Sequence, residues 1–88
     1  MHVEFFGVPR QRAGLSSLEM NAETLGQLLT TLESRIPSLG KFISTDGQGS
    51  HLHPAFVANL NGDQFVSDPR TPLAQTDHVL ILSADAGG

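Results

Sequence analysis

Residues 24–39, TLGQLLTTLESRIPSL, decide how this chain reads. Leu25, Leu28, Leu29, Leu32 and Ile36 recur at spacings of three and four, which gathers them into one apolar stripe on a helix. Thr24 is a good N-cap, and Gln27 stands three residues later, where a capping box wants Glu or Gln. Pro37 ends the helix, because the residue before a proline is pushed out of the helical region. Gly26 weakens it, by less than the roughly 1 kcal/mol that a mid-helix glycine costs. A helix from Thr24 to Ile36 is roughly 18 Å long, enough to cross a small sheet once.

On either side of the helix the period changes from 3.6 to 2. His2-Val3-Glu4-Phe5-Phe6 alternates, with Val3 and Phe5 on one face and His2, Glu4 and Phe6 on the other. Gly7 and Pro9 interrupt it, and Leu15 to Met20 reads as a second short strand, so the two are expected to form a hairpin. Residues 40–54 are rich in Gly and Ser and read as a loop. Phe56 to Leu60, an Asn61-Gly62 turn and Gln64-Phe65-Val66 predict a further hairpin. His78 to Leu82, HVLIL, is apolar on both faces, as a buried central strand requires. The order strand, strand, helix, strand, strand, strand predicts an α+β fold in two layers. A mixed sheet of four to five strands grasps one main helix, with the last strand beside the first in parallel. Residues 1–88 are expected to form a single domain with a flexible tail over 83–88.

The bulk numbers narrow the function. An 88-residue chain with 39% apolar residues supports one thin core and little depth for a catalytic pocket. It contains no cysteine, which rules out a disulfide framework, a thiolate metal site, an iron–sulfur cluster and a cysteine nucleophile. Five Lys and Arg against nine Asp and Glu give a net charge of −4, and Arg10, Arg12, Arg35, Lys41 and Arg70 are scattered, so no nucleic-acid partner is expected. MHVEFF has neither the basic nor the long apolar part of a signal peptide, and no apolar run nears the ~20 residues of a bilayer span. The expectation is a cytoplasmic protein with no membrane partner.

The chain ends Ser83-Ala84-Asp85-Ala86-Gly87-Gly88. Chance would end about one chain in 200 on two glycines. Extended, these six residues reach about 20 Å, and the last two, lacking Cβ atoms, can thread a narrow channel. A terminal carboxylate is an anion at neutral pH and a poor electrophile. Joined to AMP as a mixed anhydride, it becomes open to a sulfur or amine nucleophile.

FFGVPRQRAG (5–14), TLGQLLTTLESRIPSL (24–39), NLNGDQFV (59–66), PLAQTDHVLIL (72–82) and the AGG ending, in this order, resemble the MoaD/ThiS family of ubiquitin-like sulfur carriers, which have the β-grasp fold. That family includes the small subunit of molybdopterin synthase and relatives serving thiamine and cysteine synthesis. The resemblance implies a protein co-substrate and no enzyme. Gly88 would be adenylated and then thiocarboxylated by a ubiquitin-activating-like adenylyltransferase, with Gly87 giving clearance. ATP would be used by that enzyme, and no cofactor would be bound by this chain. The sulfur would pass to an accepting enzyme, a molybdopterin synthase large subunit or a cysteine synthase. Phe6, Phe65 and Leu82 match the family's apolar docking positions, and strand parity independently leaves Phe6 on the face a two-layer fold does not cover. The tail lacks the Pro-Pro pair usual in molybdopterin-type members. DGQGSHLHPAFV (46–57) and the AGG ending look more like the branch that feeds cysteine synthesis or acts as small modifiers, so a ubiquitin-like modifier joined through Gly88 to lysines is the alternative.

Other signals carry less. His51 and His53 alternate before Pro54, but no third ligand is fixed nearby and no metal site is expected. Ser16, Ser17, His78 and the carboxylates show no triad or dyad spacing, and no catalytic residue is expected. Asp46-Gly47-Gln48-Gly49 has no Lys and no strand-to-helix context, and reads as a turn.

Overall fold

A computed structural model describes residues 1–47 and 49–84. Seven strands and two α-helices follow the order β1 (His2–Phe5), α1 (Val8–Ala13), β2 (Ser17–Glu19), α2 (Leu25–Arg35), β3 (Ile43–Asp46), β4 (Gly49–Leu52), β5 (Phe56–Leu60), β6 (Gln64–Val66) and β7 (His78–Ser83). Five strands make the main sheet in the order β2-β1-β7-β5-β6. β7 is central, parallel to β1 and antiparallel to β5, as its two-faced apolar run predicts. The mixed sheet packs against one main helix, which is the expected α+β arrangement of a ubiquitin-like β-grasp fold.

Alternation places Val3 and Phe5 of β1, Ala58 and Leu60 of β5 and Val79 and Ile81 of β7 on one face. Leu25, Leu28, Leu29 and Leu32 of α2 join them in a single buried cluster. These four leucines are at most 1% exposed, and each contributes on the order of 1.5–3 kcal/mol by leaving water. The first turn of α2 has all its donors occupied. Gln27 N–H donates to Thr24 Oγ1 at 3.2 Å, while Leu25 N–H and Gly26 N–H donate to the carbonyls of Thr71 and Pro69 at 3.0 and 2.9 Å. Gln27 Oε1 reaches back to accept from Glu23 N–H at 2.8 Å, one residue before the cap. At the other end Ile36 N–H still reaches Leu32 O, and Pro37 opens a 3₁₀ turn over Pro37–Leu39.

Two segments depart from the sequence expectation. The Gly7–Gly14 connection is not a simple hairpin loop but holds α1, six residues between glycines with φ of 68° and 75°. Pro9 in its first turn and Gly14 just past its end follow the usual asymmetry of helix termini, and a helix this short shows no readable apolar period. Residues 40–54, expected as a loop, contain the β3–β4 ribbon, paired from Ile43↔Leu52 to Asp46↔Gly49. Its anchor is polar: Ser50 is 1% exposed, and its hydroxyl lies 2.6 Å from Thr30 Oγ1 on α2 and 2.9 Å from Thr45 Oγ1. Apolar alternation could not reveal a strand held by hydroxyls.

The end of the sheet also differs. Ser83 belongs to β7, opposite Phe56, and Ala84 N–H donates to Ala55 O at 2.8 Å. The chain is therefore fixed to the body through Ala84, beyond the expected start of the tail at 83. Asp85, Ala86, Gly87 and Gly88 lie outside the described residues, as does Gln48.

Gly26 has a packing role that propensity conceals. A Cβ there would stand 3.0 Å from Pro69 Cβ and 3.1 Å from Pro69 O, and a Cβ on Gly49 would also stand 3.0 Å from Pro69 Cβ. Buried Pro69 is wedged between the start of α2 and the start of β4. Gly26→Ala is therefore expected to lower stability by about 1 kcal/mol, overpacking outweighing the helix gain. Urea unfolding checks this; a rise in midpoint would show that Pro69 yields.

Candidate functional site

α2 covers one face of the sheet and leaves the other open. By register that open face carries His2 and Glu4 of β1, His78, Leu80 and Leu82 of β7, Val57 and Asn59 of β5, and Phe65 of β6. Phe6, just past β1, donates its N–H to Ile81 O at 2.9 Å and so stands beside the last turn of the β7 ladder. Phe6 and Phe65 are 54% and 61% exposed, large costs for aromatic rings in a fold this small.

Leu82 differs from these two. It lies on the same face but is only 8% exposed. It sits on the central strand, directly opposite Val57 of β5 and one position past the last β1 partner, Ile81. It contributes the floor of the patch and not a projecting anchor.

Asn59, not singled out by the sequence, stands between Leu80 and Phe65. Its Oδ1 is buried and accepts no hydrogen bond among the described residues. An unmatched acceptor of this kind costs on the order of 1–3 kcal/mol. Alternation along Phe56–Leu60 places it on the open face, but its burial comes from neighbouring strands that sequence alone does not fix.

The opposite end of the same face is charged. His2 Nδ1 lies 2.6 Å from Glu19 Oε1, and His78 Nε2 lies 3.0 Å from Glu4 Oε1. The two imidazoles meet edge to face with centroids 4.8 Å apart. His2 and Glu4 share a face by parity, and the parallel register His2↔His78 completes the set. His51 and His53 are not brought together in this way. His51 Nε2 pairs with Asp46 Oδ1 at 3.3 Å, and His53 Nδ1 accepts from Ala55 N–H at 3.1 Å. Gly87 and Gly88, the expected reacting end, lie outside the described residues.

Residues 3–88 match the ThiS family. The chain belongs to that family. A search of curated proteins by sequence returns no match. Among solved structures, the fold is similar to small archaeal modifier protein 1 from Methanosarcina acetivorans, at 22% identity and TM-score 0.78, covering 99% of this chain and 94% of that one. It is also similar to a chain of the Amycolatopsis orientalis BexX/CysO complex, at 23% identity and TM-score 0.77, covering 99% and 98%. A third likeness is to a putative molybdopterin converting factor, subunit 1, from Pyrococcus furiosus, at 19% identity and TM-score 0.68, covering 93% of each chain. At these identities the likeness bears on the fold. Among the described residues no helix is long and apolar enough to cross a membrane.

In this ThiS-family chain the open face is held in register by a polar lock. Asn61, at φ 60°, accepts from His78 N–H at 2.8 Å and donates from Nδ2 to Asp77 Oδ1 at 3.0 Å. Asp77 Oδ2 also accepts from Ala74 N–H at 2.8 Å. These bonds, the Ala74 N–H first and the Asn61 amide second, hold the Asp77 carboxyl below its ordinary range. A carboxyl depressed on folding stabilises the fold above its unfolded pKa of about 3.9, and that contribution is lost as pH falls through the folded value. Urea midpoints measured from pH 6 downward are thus expected to fall less steeply near pH 3–4 in Asp77→Asn than in the parent chain. Equal slopes would remove Asp77 as a source of acid sensitivity.

Proposed function

We propose that this chain is a sulfur carrier and a protein co-substrate, with the Gly88 carboxylate as its reacting group. The observation that carries the reading is the family match over residues 3–88, which runs to the Gly87-Gly88 end of a chain without cysteine. In the proposed cycle a carboxylate oxygen of Gly88 attacks the α-phosphorus of ATP, and pyrophosphate leaves. A sulfide-level nucleophile then adds to the carbonyl carbon, the C–O bond to AMP breaks, and a thiocarboxylate remains. A ubiquitin-activating-like adenylyltransferase performs both steps, and Gly87 offers no side chain to obstruct its channel. The sulfur then passes to an accepting enzyme, a molybdopterin synthase large subunit or a cysteine synthase.

Phe6 and Phe65, over the floor formed by Leu80 and Leu82, suit an apolar partner surface. The likeness to small archaeal modifier protein 1 favours a second reading, in which a lysine amine attacks the same activated carbonyl and the chain becomes a protein modifier.

Co-expression with a cognate activating enzyme and a sulfur source is expected to raise the mass of the C-terminal peptide by one oxygen-for-sulfur exchange. An unmodified peptide, alongside a control carrier that is modified, would count against the carrier reading. Lysine-linked conjugates that vanish when Gly88 is deleted would favour the modifier. The double substitution Phe6→Ala and Phe65→Ala is expected to weaken binding to the activating enzyme about tenfold or more, with the unfolding midpoint nearly unchanged. Unaltered affinity would place the docking surface elsewhere.

A further inference from the structure

We propose that His2, Glu4 and His78 form a binding site for a divalent transition-metal ion of the zinc class. One ligand atom from each of the three lies within 4.8 Å of the others. Around a tetrahedral zinc, with bonds of about 2.0–2.2 Å, neighbouring ligand atoms stand about 3.4 Å apart. His78 Nε2 and Glu4 Oε1, at 3.0 Å, stand slightly closer than that spacing, so closing the site requires rotation of half-buried His2 and Glu4 and exposed His78. The donor set, two imidazoles and a carboxylate, is that of zinc, nickel or copper and not of magnesium or calcium.

The backbone under the site is paired strand. His2 and Glu4 project from one face of β1, and His78 projects beside them from the central strand. Glu19, paired with His2 in the antiparallel register, supplies the outer partner. Its carboxylate holds His2 Nδ1 at 2.6 Å, which leaves Nε2 as a lone-pair donor; a rotated Glu19 can instead provide a fourth oxygen. Among the described residues neither Glu4 nor Glu19 is ion-paired with Lys or Arg, so a cation entering the cluster displaces no existing positive partner there. Glu4 and His78 also line a shallow depression with Phe6, Asn59 and Leu80, so a coordination position left open by the three ligands faces the same side as the aromatic patch.

The test is calorimetric titration of the full chain with zinc chloride at neutral pH, paired with thermal unfolding. One ion per chain is expected, with a rise in Tm because the metal binds the folded register and not the unfolded chain. His2→Gln and His78→Gln should each weaken binding tenfold or more and abolish the Tm rise, while His51→Gln with His53→Gln should leave both unchanged. Glu19→Gln should weaken binding less than either ligand substitution. Circular dichroism confirms that each variant is folded, and zinc-induced shifts confined to the His2 and His78 ring nitrogens in NMR spectra of the parent chain test the same ligands without substitution. Absence of saturable micromolar binding, or binding that survives loss of His2 and His78, would overturn the site.

Discussion

The parallel pairing of β7 with β1 is the constraint on which the rest of the molecule depends. It brings residues 78–81 against residues 2–5 and fixes Val79 and Ile81 beside Val3 and Phe5 as the floor under α2. Because the partners are separated by most of the chain, this pairing carries a loop-closure cost that the packing on α2 must offset. The same pairing sets the reverse side of the sheet. Parity that buries Val3, Phe5, Val79 and Ile81 must send His2, Glu4, His78 and Leu80 outward, so the core and the open face are one decision.

How much of this the sequence reveals depends on what kind of force holds each element. α2 was legible because five apolar residues at helical spacing, a Thr cap and a terminating Pro all agree. β7 was legible because only a strand buried on both sides needs apolar residues on both faces. β5 and β6 were marked by Asn61-Gly62, whose positive φ angles the structure confirms. The β3–β4 ribbon was hidden because Ser50, Thr45 and Thr30 secure it through hydroxyls, and a polar segment reads as a loop. α1 was hidden because six residues are too few to show a period.

The site was legible in part for the same reasons. Alternation was enough to put Phe6 outward, but the near-burial of Leu82 follows from its central position and from Val57 opposite, facts of strand order that no local pattern contains. The histidine cluster is not legible locally because His2 and His78 are 76 positions apart in the chain and meet only through the parallel register. His51 and His53, close in sequence, each turn to a separate neighbour. Proximity along the chain is a poor guide to ligand geometry when the sheet joins its two ends.

The two ends of the open face stand at opposite ends of the same strand. β7 enters at His78 beside His2 and leaves at Ser83 beside Phe56, with Ala84 tied to Ala55. Four residues of strand, about 13 Å, separate the His78 end from Leu82. Phe6, bonded to Ile81, stands beside the exit end of β7. β7 is bonded on both sides, to β1 and to β5, and is not an edge that could peel away. The proposed ligands Glu4 and His78 line one depression with Phe6, so an ion held there adjoins the aromatic patch on the same face.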